Sequence, residues 1–168
     1  LIKKRAAANS WLYLVVALVL IAIDQFTKNL AIASLELGKN YPVIGEILSW
    51  RLVYNDSAAF SLGFGYTWIL AVISAVATLA TIWFARKITS TSWQLMTGIF
   101  LGGVVGNLID RLIREPSIGN GHVVDFIMIP FNFPVFNLAD IFIVSMASLA
   151  VIRIYRGDTL GGVPPKTK

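Results

Sequence analysis

The chain has 168 residues, of which 57% are hydrophobic and only 14% charged, with a formal net charge of +5. Soluble domains are about 45–50% apolar and about 25% charged, so this composition points to lipid as the solvent. There is no cysteine, which excludes disulfides, thiolate metal sites and a cysteine nucleophile, and the basic residues are dispersed between apolar runs rather than gathered in a nucleic-acid-binding groove.

A membrane helix needs about 20 mostly apolar residues, and four segments meet that length. The first runs about Trp11 to Leu30, with no charge from Ala6 to Ile23. The second runs about Tyr66 to Ala85. The third, about Trp93 to Ile113, is uncharged from Ile88 to Ile109, and the fourth, about Asn137 to Tyr155, is interrupted by a single acid, Asp140, with Arg153 near its end. Between the first two helices, Leu48, Trp50, Leu52 and Tyr54 recur at period two, as in a short strand, with Gly38, Pro42 and Gly45 as punctuation. The segment Glu115 to Phe136 carries five Gly or Pro residues and reads as a loop with one strand at His122 to Ile127. The expected fold is therefore an all-α polytopic membrane protein of four transmembrane helices with a small β element on the outer face. Residues 1–156 would form one membrane-embedded domain, and 157–168, rich in Gly, Pro and Lys, a disordered cytoplasmic tail.

Orientation follows from the flanking charges. Lys3, Lys4, Arg5, Arg86, Lys87, Arg153, Arg156, Lys166 and Lys168 lie on one side, eight of the nine acids on the other. The basic side is the cytoplasmic one, so both termini are inside. Trp11, Trp68, Trp83 and Trp93 fall near helix ends, where interfacial anchors belong. The start of the chain also imitates a cleaved signal peptide, with Lys3 to Arg5, an apolar run and then Ala31-Ile32-Ala33. Asp24 and Lys28 would make an unusually polar approach to that cut, so a retained first helix is expected.

Ionisable groups within membrane segments are expensive and usually functional, and here they gather toward the outer helix ends. Asp24 and Lys28 are four apart, the spacing of an intrahelical pair, which is also compatible with a snorkelling interfacial pair. Gly98, Gly102 and Gly106 form a small-residue ladder that lets a second helix approach. Gly103, Asn107 and Arg111 form another, with Asp110 near that face. Asn137 and Asp140 share a face at the start of the fourth helix. Asp125, fifteen residues before Asp140, would meet it if the intervening loop folds back; taken alone, it also fits a carboxylate capping a turn. The one histidine, His122, makes a histidine metal cluster or a Ser-His-Asp triad improbable, and no phosphate-binding loop is present. Besides a catalytic aspartate pair, these residues leave open a small ion- or proton-coupled transporter and a non-catalytic membrane assembly factor.

Five pieces of the chain, in order, resemble the lipoprotein (type II) signal peptidases. They are Asp24-Gln25-Phe26-Thr27-Lys28, Asn55-Asp56-Ser57-Ala58-Ala59-Phe60, Gly102-Gly103-Val104-Val105-Gly106-Asn107-Leu108-Ile109-Asp110-Arg111, His122-Val123-Val124-Asp125-Phe126 and Phe136-Asn137-Leu138-Ala139-Asp140. In the second piece Ser57 stands where the family usually has glycine. The resemblance implies an aspartic endopeptidase of the bacterial cytoplasmic membrane. It would cut diacylglyceryl-modified prolipoproteins before the lipidated cysteine, with its site toward the outer face. It implies Asp125 and Asp140 as the catalytic pair, with Asp24, Asn55, Gly103, Asn107, Arg111 and Asn137 around them. It implies no metal or organic cofactor, no nucleic acid, membrane lipid as surroundings and inhibition by globomycin-type antibiotics.

The charge asymmetry makes a direct prediction. A reporter active only outside the cytoplasm, fused after Lys168, should give no signal; a strong signal would overturn the four-span topology.

Overall fold

The computed structural model describes residues 11–56 and 67–160. Its elements in chain order are α1 (Leu12–Ser34), β1 (Tyr41–Ile44), β2 (Leu48–Asn55), α2 (Thr67–Ala85), α3 (Thr91–Ile113), β3 (Val123–Met128) and α4 (Leu138–Tyr155). All four helices are long and apolar enough to cross a membrane. At about 1.5 Å per residue, the shortest, with 18 residues, still spans about 27 Å, close to the hydrocarbon core of a bilayer.

The burial pattern is that of a protein solvated by lipid. Val15, Leu18 and Val19 of α1, Val72, Ile73, Val76 and Leu79 of α2, and Val144 and Val151 of α4 are exposed. α3 is the central helix: most of its residues are buried, and α1, α2 and α4 all pack on it. Where lipid tails are as apolar as leucine, helices associate through close packing. The first glycine ladder provides it on the α1 side. A Cβ added at Gly98 would lie 2.7 Å from the Tyr13 carbonyl oxygen, and one at Gly106 would lie 2.5 Å from the Asp24 carboxylate. On the α4 side, a Cβ at Gly103 would come 2.5 Å from the Ala139 carbonyl. Gly103 is thus where α4 closes onto α3.

The strands form one antiparallel sheet in the order β1-β2-β3. β2 pairs with β3 through Ser49 with Met128, Trp50 with Ile127, and Val53 with Asp125, with a bulge between Trp50 and Val53. Leu52, Val124, Phe126 and Ile127 form a core with Ala31 of α1, against which Leu35, Leu48, Trp50, Phe136 and Leu138 pack. The sheet therefore caps the C-terminal end of α1 and the N-terminal end of α4. That contact extends α1 to Ser34, four residues beyond the expected end, and makes Ala31-Ile32-Ala33 part of its last turns.

The period-two reading of β2 holds for Leu48, Trp50 and Leu52, whereas Tyr54, beyond the bulge, is exposed. β3 begins one residue after the expected His122. Trp11, Trp68 and Trp83 are exposed as interfacial anchors should be, but Trp93 is only 4% exposed. It packs in a core with Ile88 and Met96, and the Arg153 guanidinium lies 4.7 Å from its ring centroid. Trp93 is an anchor between α3 and α4, because a cation at the end of α4 offers its ring a partner that lipid cannot. Of the expected disordered tail, Gly157 to Leu160 are described, with Asp158 paired to Arg153 at 2.7 Å; the rest, like Ser57 to Phe60 of the second motif, lies outside the described residues.

Helix packing at Gly98 generates a test. Gly98→Leu should lower the thermal unfolding midpoint in detergent, by an amount equivalent to about 1–3 kcal/mol or more of overpacking; an unchanged midpoint would mean that α1 does not pack at this depth.

Candidate active site

The site is assembled where the C-terminal ends of α1 and α3 meet the N-terminal end of α4 under the sheet. Its base is Lys28, which is 0% exposed, as is Asp24. The Lys28 ammonium lies 2.9 Å from Asp24 Oδ2, 2.8 Å from Asp110 Oδ2 and 2.9 Å from Asn107 Oδ1. A lysine has three N–H donors and no acceptor, and each donor here has a partner. The remaining oxygens are also occupied. Asp24 Oδ1 accepts the Ala139 backbone N–H at 3.2 Å, in the first turn of α4. Asp110 Oδ1 accepts from Arg114 at 2.7 Å and Gln25 at 3.1 Å, and its Oδ2 also accepts the Val124 N–H at 3.2 Å. A buried charge is tolerable only when paired and hydrogen-bonded, and this cluster meets that condition while tying α1, α3, α4 and β3 together.

Above the cluster lie two carboxylates from different elements. Asn137 caps α4, its side chain accepting the Asp140 N–H at 3.1 Å while Asp140 Oδ2 accepts the Asn137 N–H at 3.1 Å. This reciprocal capping box fixes Asp140 at the third helical position, where the positive end of the helix dipole favours an anion. Asp140 Oδ1 accepts from Asn107 Nδ2 at 2.8 Å. Asp125, on β3 and 2% exposed, accepts from Asn137 Nδ2 at 2.6 Å and from Asn55 Nδ2 of β2 at 2.8 Å. Asn137 thus bonds to both aspartates, and its amide also donates to Asn107 Oδ1 at 3.2 Å.

The electrostatics separate the two acids. Burial, and then the charge of Asp140, push the Asp125 carboxyl up to about 7, against the hydrogen bonds from Asn55 and Asn137 and the charge of Lys28. Asp140 is less buried than Asp125. Arg111 donates to the Asn107 backbone carbonyl at 3.3 Å and interacts electrostatically with both aspartates, while its buried Nε has no hydrogen-bond partner among the described residues. The arrangement offers a carboxylate in a helix N-terminus, a second acid held near neutrality, and a guanidinium with an uncommitted donor. That set suits general acid–base chemistry on a polar bond.

All eight residues singled out in the sequence lie in this region, and the six besides the aspartate pair stand in four different relations to it. Asn55, Asn107 and Asn137 bond directly to one or both aspartates. Arg111 faces them electrostatically. Asp24 does not touch them; it is linked through Lys28 and Asn107. Gly103 contributes close packing of α3 against α4. A snorkelling role for Lys28 is excluded, since no part of its side chain is exposed. Gln25 and Arg114 are polar partners that sequence reasoning passed over, whereas Lys28 and Asp110, placed by spacing, enter the site as the core of its buried cluster. The signals for the latter two were the four-residue spacing of Asp24 and Lys28 and the position of Asp110 three residues after Asn107.

A family model described as signal peptidase (SPase) II matches residues 16–156. The lipoprotein signal peptidase of Leifsonia xyli subsp. xyli is 44% identical over 148 residues, covering 88% of this chain and 68% of that protein. The one from Mycobacterium leprae is 42% identical over 153 residues, covering 89% and 76% respectively, and the one from Mycobacterium tuberculosis is 42% identical over 149 residues, covering 87% and 73%. In fold the chain is similar to a bacterial membrane enzyme determined by the in meso method at 2.3 Å resolution, with a TM-score of 0.79 and 24% identity over 93% of this chain and 94% of that one. A second such structure, at 1.9 Å resolution, gives a TM-score of 0.75 and 26% identity over 88% and 94%. The transporter reading finds no support among these matches. With the family model spanning most of its length and four helices fit to cross a membrane, this chain belongs to the signal peptidase II family of multi-pass bacterial membrane proteases.

Proposed function

We propose that the chain is an aspartic endopeptidase that removes signal peptides from diacylglyceryl-modified prolipoproteins, with Asp125 and Asp140 as its catalytic pair. The observation that carries this reading is the double engagement of Asn137, which bonds to Asp125 and Asp140 from the start of α4. Two neighbouring carboxylates ionise together only at high cost, so the pair holds one proton. Asp125, deeper and raised to about 7, is the protonated member; Asp140, with an N–H on each oxygen, is the carboxylate.

In the forward step a water oxygen bonds to the scissile carbonyl carbon. Its proton passes to Asp140, and the Asp125 proton passes to the carbonyl oxygen, giving a neutral diol. In the second step one diol hydroxyl returns its proton to Asp125 as the C=O re-forms. The C–N bond breaks and the departing nitrogen takes the proton from Asp140, so the pair ends as it began. Arg111 is the candidate donor for charge developing on the carbonyl oxygen. No metal or organic cofactor takes part. A lipid-modified substrate suits the site's position at the helix ends, since its acyl chains can stay beside the apolar belt while the peptide reaches polar groups. With the basic end cytoplasmic, the site faces outward, and residues 1–156 act as a single catalytic unit.

Purified protein should cleave a diacylglyceryl-modified precursor and leave the unmodified precursor intact, with chelators without effect. Cleavage of both forms alike, or of neither, would contradict the substrate assignment. Asp125→Asn and Asp140→Asn should each abolish turnover, and the double variant should be little worse than either, as for residues that act as a unit; multiplicative losses would count against the pair. Asn keeps the shape of the site, so both variants should still bind a globomycin-type inhibitor.

The pH dependence has a definite sign. Asp125 is protonated below about 7 and loses its proton above it, so kcat/KM should fall on an alkaline limb near that pH, a limb that belongs to the pair. Because folding raises this carboxyl from 3.8, its contribution to stability declines as pH rises through that window. A rate still climbing well above pH 8 would exclude Asp125 as the acid.

A further inference from the structure

The buried cluster around Lys28 does one thing that salt-bridge pairing alone does not require. Two of the ammonium's donors go to Asp24 and Asp110, which would by themselves neutralise it, and the third goes to Asn107 Oδ1 at 2.9 Å. An ammonium can only donate, so it accepts the oxygen side of the Asn107 amide and rejects the NH2 side. That choice leaves Asn107 Nδ2 pointing at Asp140 Oδ1, 2.8 Å away. Without the ammonium, the carboxylates of Asp24 and Asp110 would draw the NH2 group toward themselves. The flipped amide would then turn its oxygen on Asp140, and an oxygen there favours the protonated acid over the carboxylate.

We propose that Lys28 is a positioning residue for hydrolysis: by holding the Asn107 carbonyl it aims the Asn107 N–H at Asp140 and keeps Asp140 the proton acceptor of the pair. This rests on the assignment of Asp125 and Asp140 as the catalytic pair. The second lock on the same amide is Asn137 Nδ2, 3.2 Å from Asn107 Oδ1, but that group is shared with Asp125 at 2.6 Å. The charged groups around the relay are Asp24 on α1, Asp110 and Arg111 on α3, Arg114 at the C-cap of α3, Asp140 on α4 and Asp125 on β3.

Lys28→Met alone strands two buried carboxylates, so the test pairs it with Asp24→Asn. That double variant removes one charge of each sign and leaves Asp110 its 2.7 Å contact with Arg114. Measured on a diacylglyceryl-modified precursor in detergent, its kcat should fall about 10- to 100-fold, the scale of one hydrogen bond to a charged group, with KM nearly unchanged. The acid limb of its pH profile should move to higher pH. Asn107→Leu, which has no amide to orient, should move the limb the same way, and adding it to the double variant should cost no further kcat. A double variant that melts earlier but keeps the wild-type kcat and profile would reduce Lys28 to a structural residue and overturn the proposal. Multiplicative losses with Asn107→Leu would overturn it too. If the double variant does not fold, the Asn107→Leu profile decides: an unmoved acid limb refutes the relay. Both aspartates are intact throughout, so these outcomes are separate from failure of the catalytic pair itself, which would appear as turnover by Asp125→Asn or Asp140→Asn.

Discussion

A lysine ammonium with no exposure to solvent must find three acceptors within the protein, and in this chain it finds them on two helices. Lys28 on α1 bonds to Asp24 on its own helix and to Asn107 and Asp110 on α3. In lipid an unmet polar group has no water to fall back on, so these bonds fix how far along α3 the end of α1 can sit. The glycine faces of α3 make that approach possible by letting α1 and α4 come to backbone contact. Asp24 then reaches the Ala139 N–H and Asp110 reaches the Val124 N–H, so α4 and β3 are registered against the same cluster. The aspartates on those two elements, Asp140 and Asp125, inherit their positions from it.

The division of labour between helix and strand follows. Asp140 sits in a capping box at a helix N-terminus, an environment that stabilises an anion. Asp125 sits on a strand buried under the sheet, where desolvation favours the neutral acid. Two chemically identical side chains thus acquire opposite roles in the proposed mechanism from where the backbone carries them. The sheet itself is small, and its three strands depend on the ends of α1 and α4 for a core. The lipid-linked substrate proposed above would suit such a junction, with apolar helix faces below and hydrogen-bonding groups above.

Much of this was legible in the sequence because membranes impose simple rules. Long, mostly apolar runs marked the four helices, and small residues at four-residue spacing marked the α3 faces. The end of α1 was misjudged because Ala31 to Ser34 are held by the sheet, a tertiary contact that composition does not encode. The interfacial reading of Trp93 and the snorkelling alternative for Lys28 fail for a common reason: each has an amphipathic side chain that suits an interface, and only the fold supplies the partners that bury it, although the Asp24–Lys28 pair expected from spacing is present. The meeting of Asp125 with Asn137 depends on how the loop from Met128 to Phe136 returns, and its geometry rests on contacts such as the Ile127–Phe136 bridge that no local pattern announces. The motifs that resemble the signal peptidase II family named residues that the fold brings into one region. They did not say that Asp24 is linked to Asp140 only through Lys28 and Asn107.

The account rests on a single proton held by the aspartate pair and carried by Asp125. Infrared difference spectroscopy of the detergent-solubilised protein across pH measures that proton directly, through the carbonyl stretch of a protonated carboxylic acid. One such band should be present at pH 6, titrate away near pH 7, and be absent from Asp125→Asn. A spectrum without a protonated carboxyl at a pH where the enzyme turns over, or a band that survives unchanged in Asp125→Asn, would contradict the account.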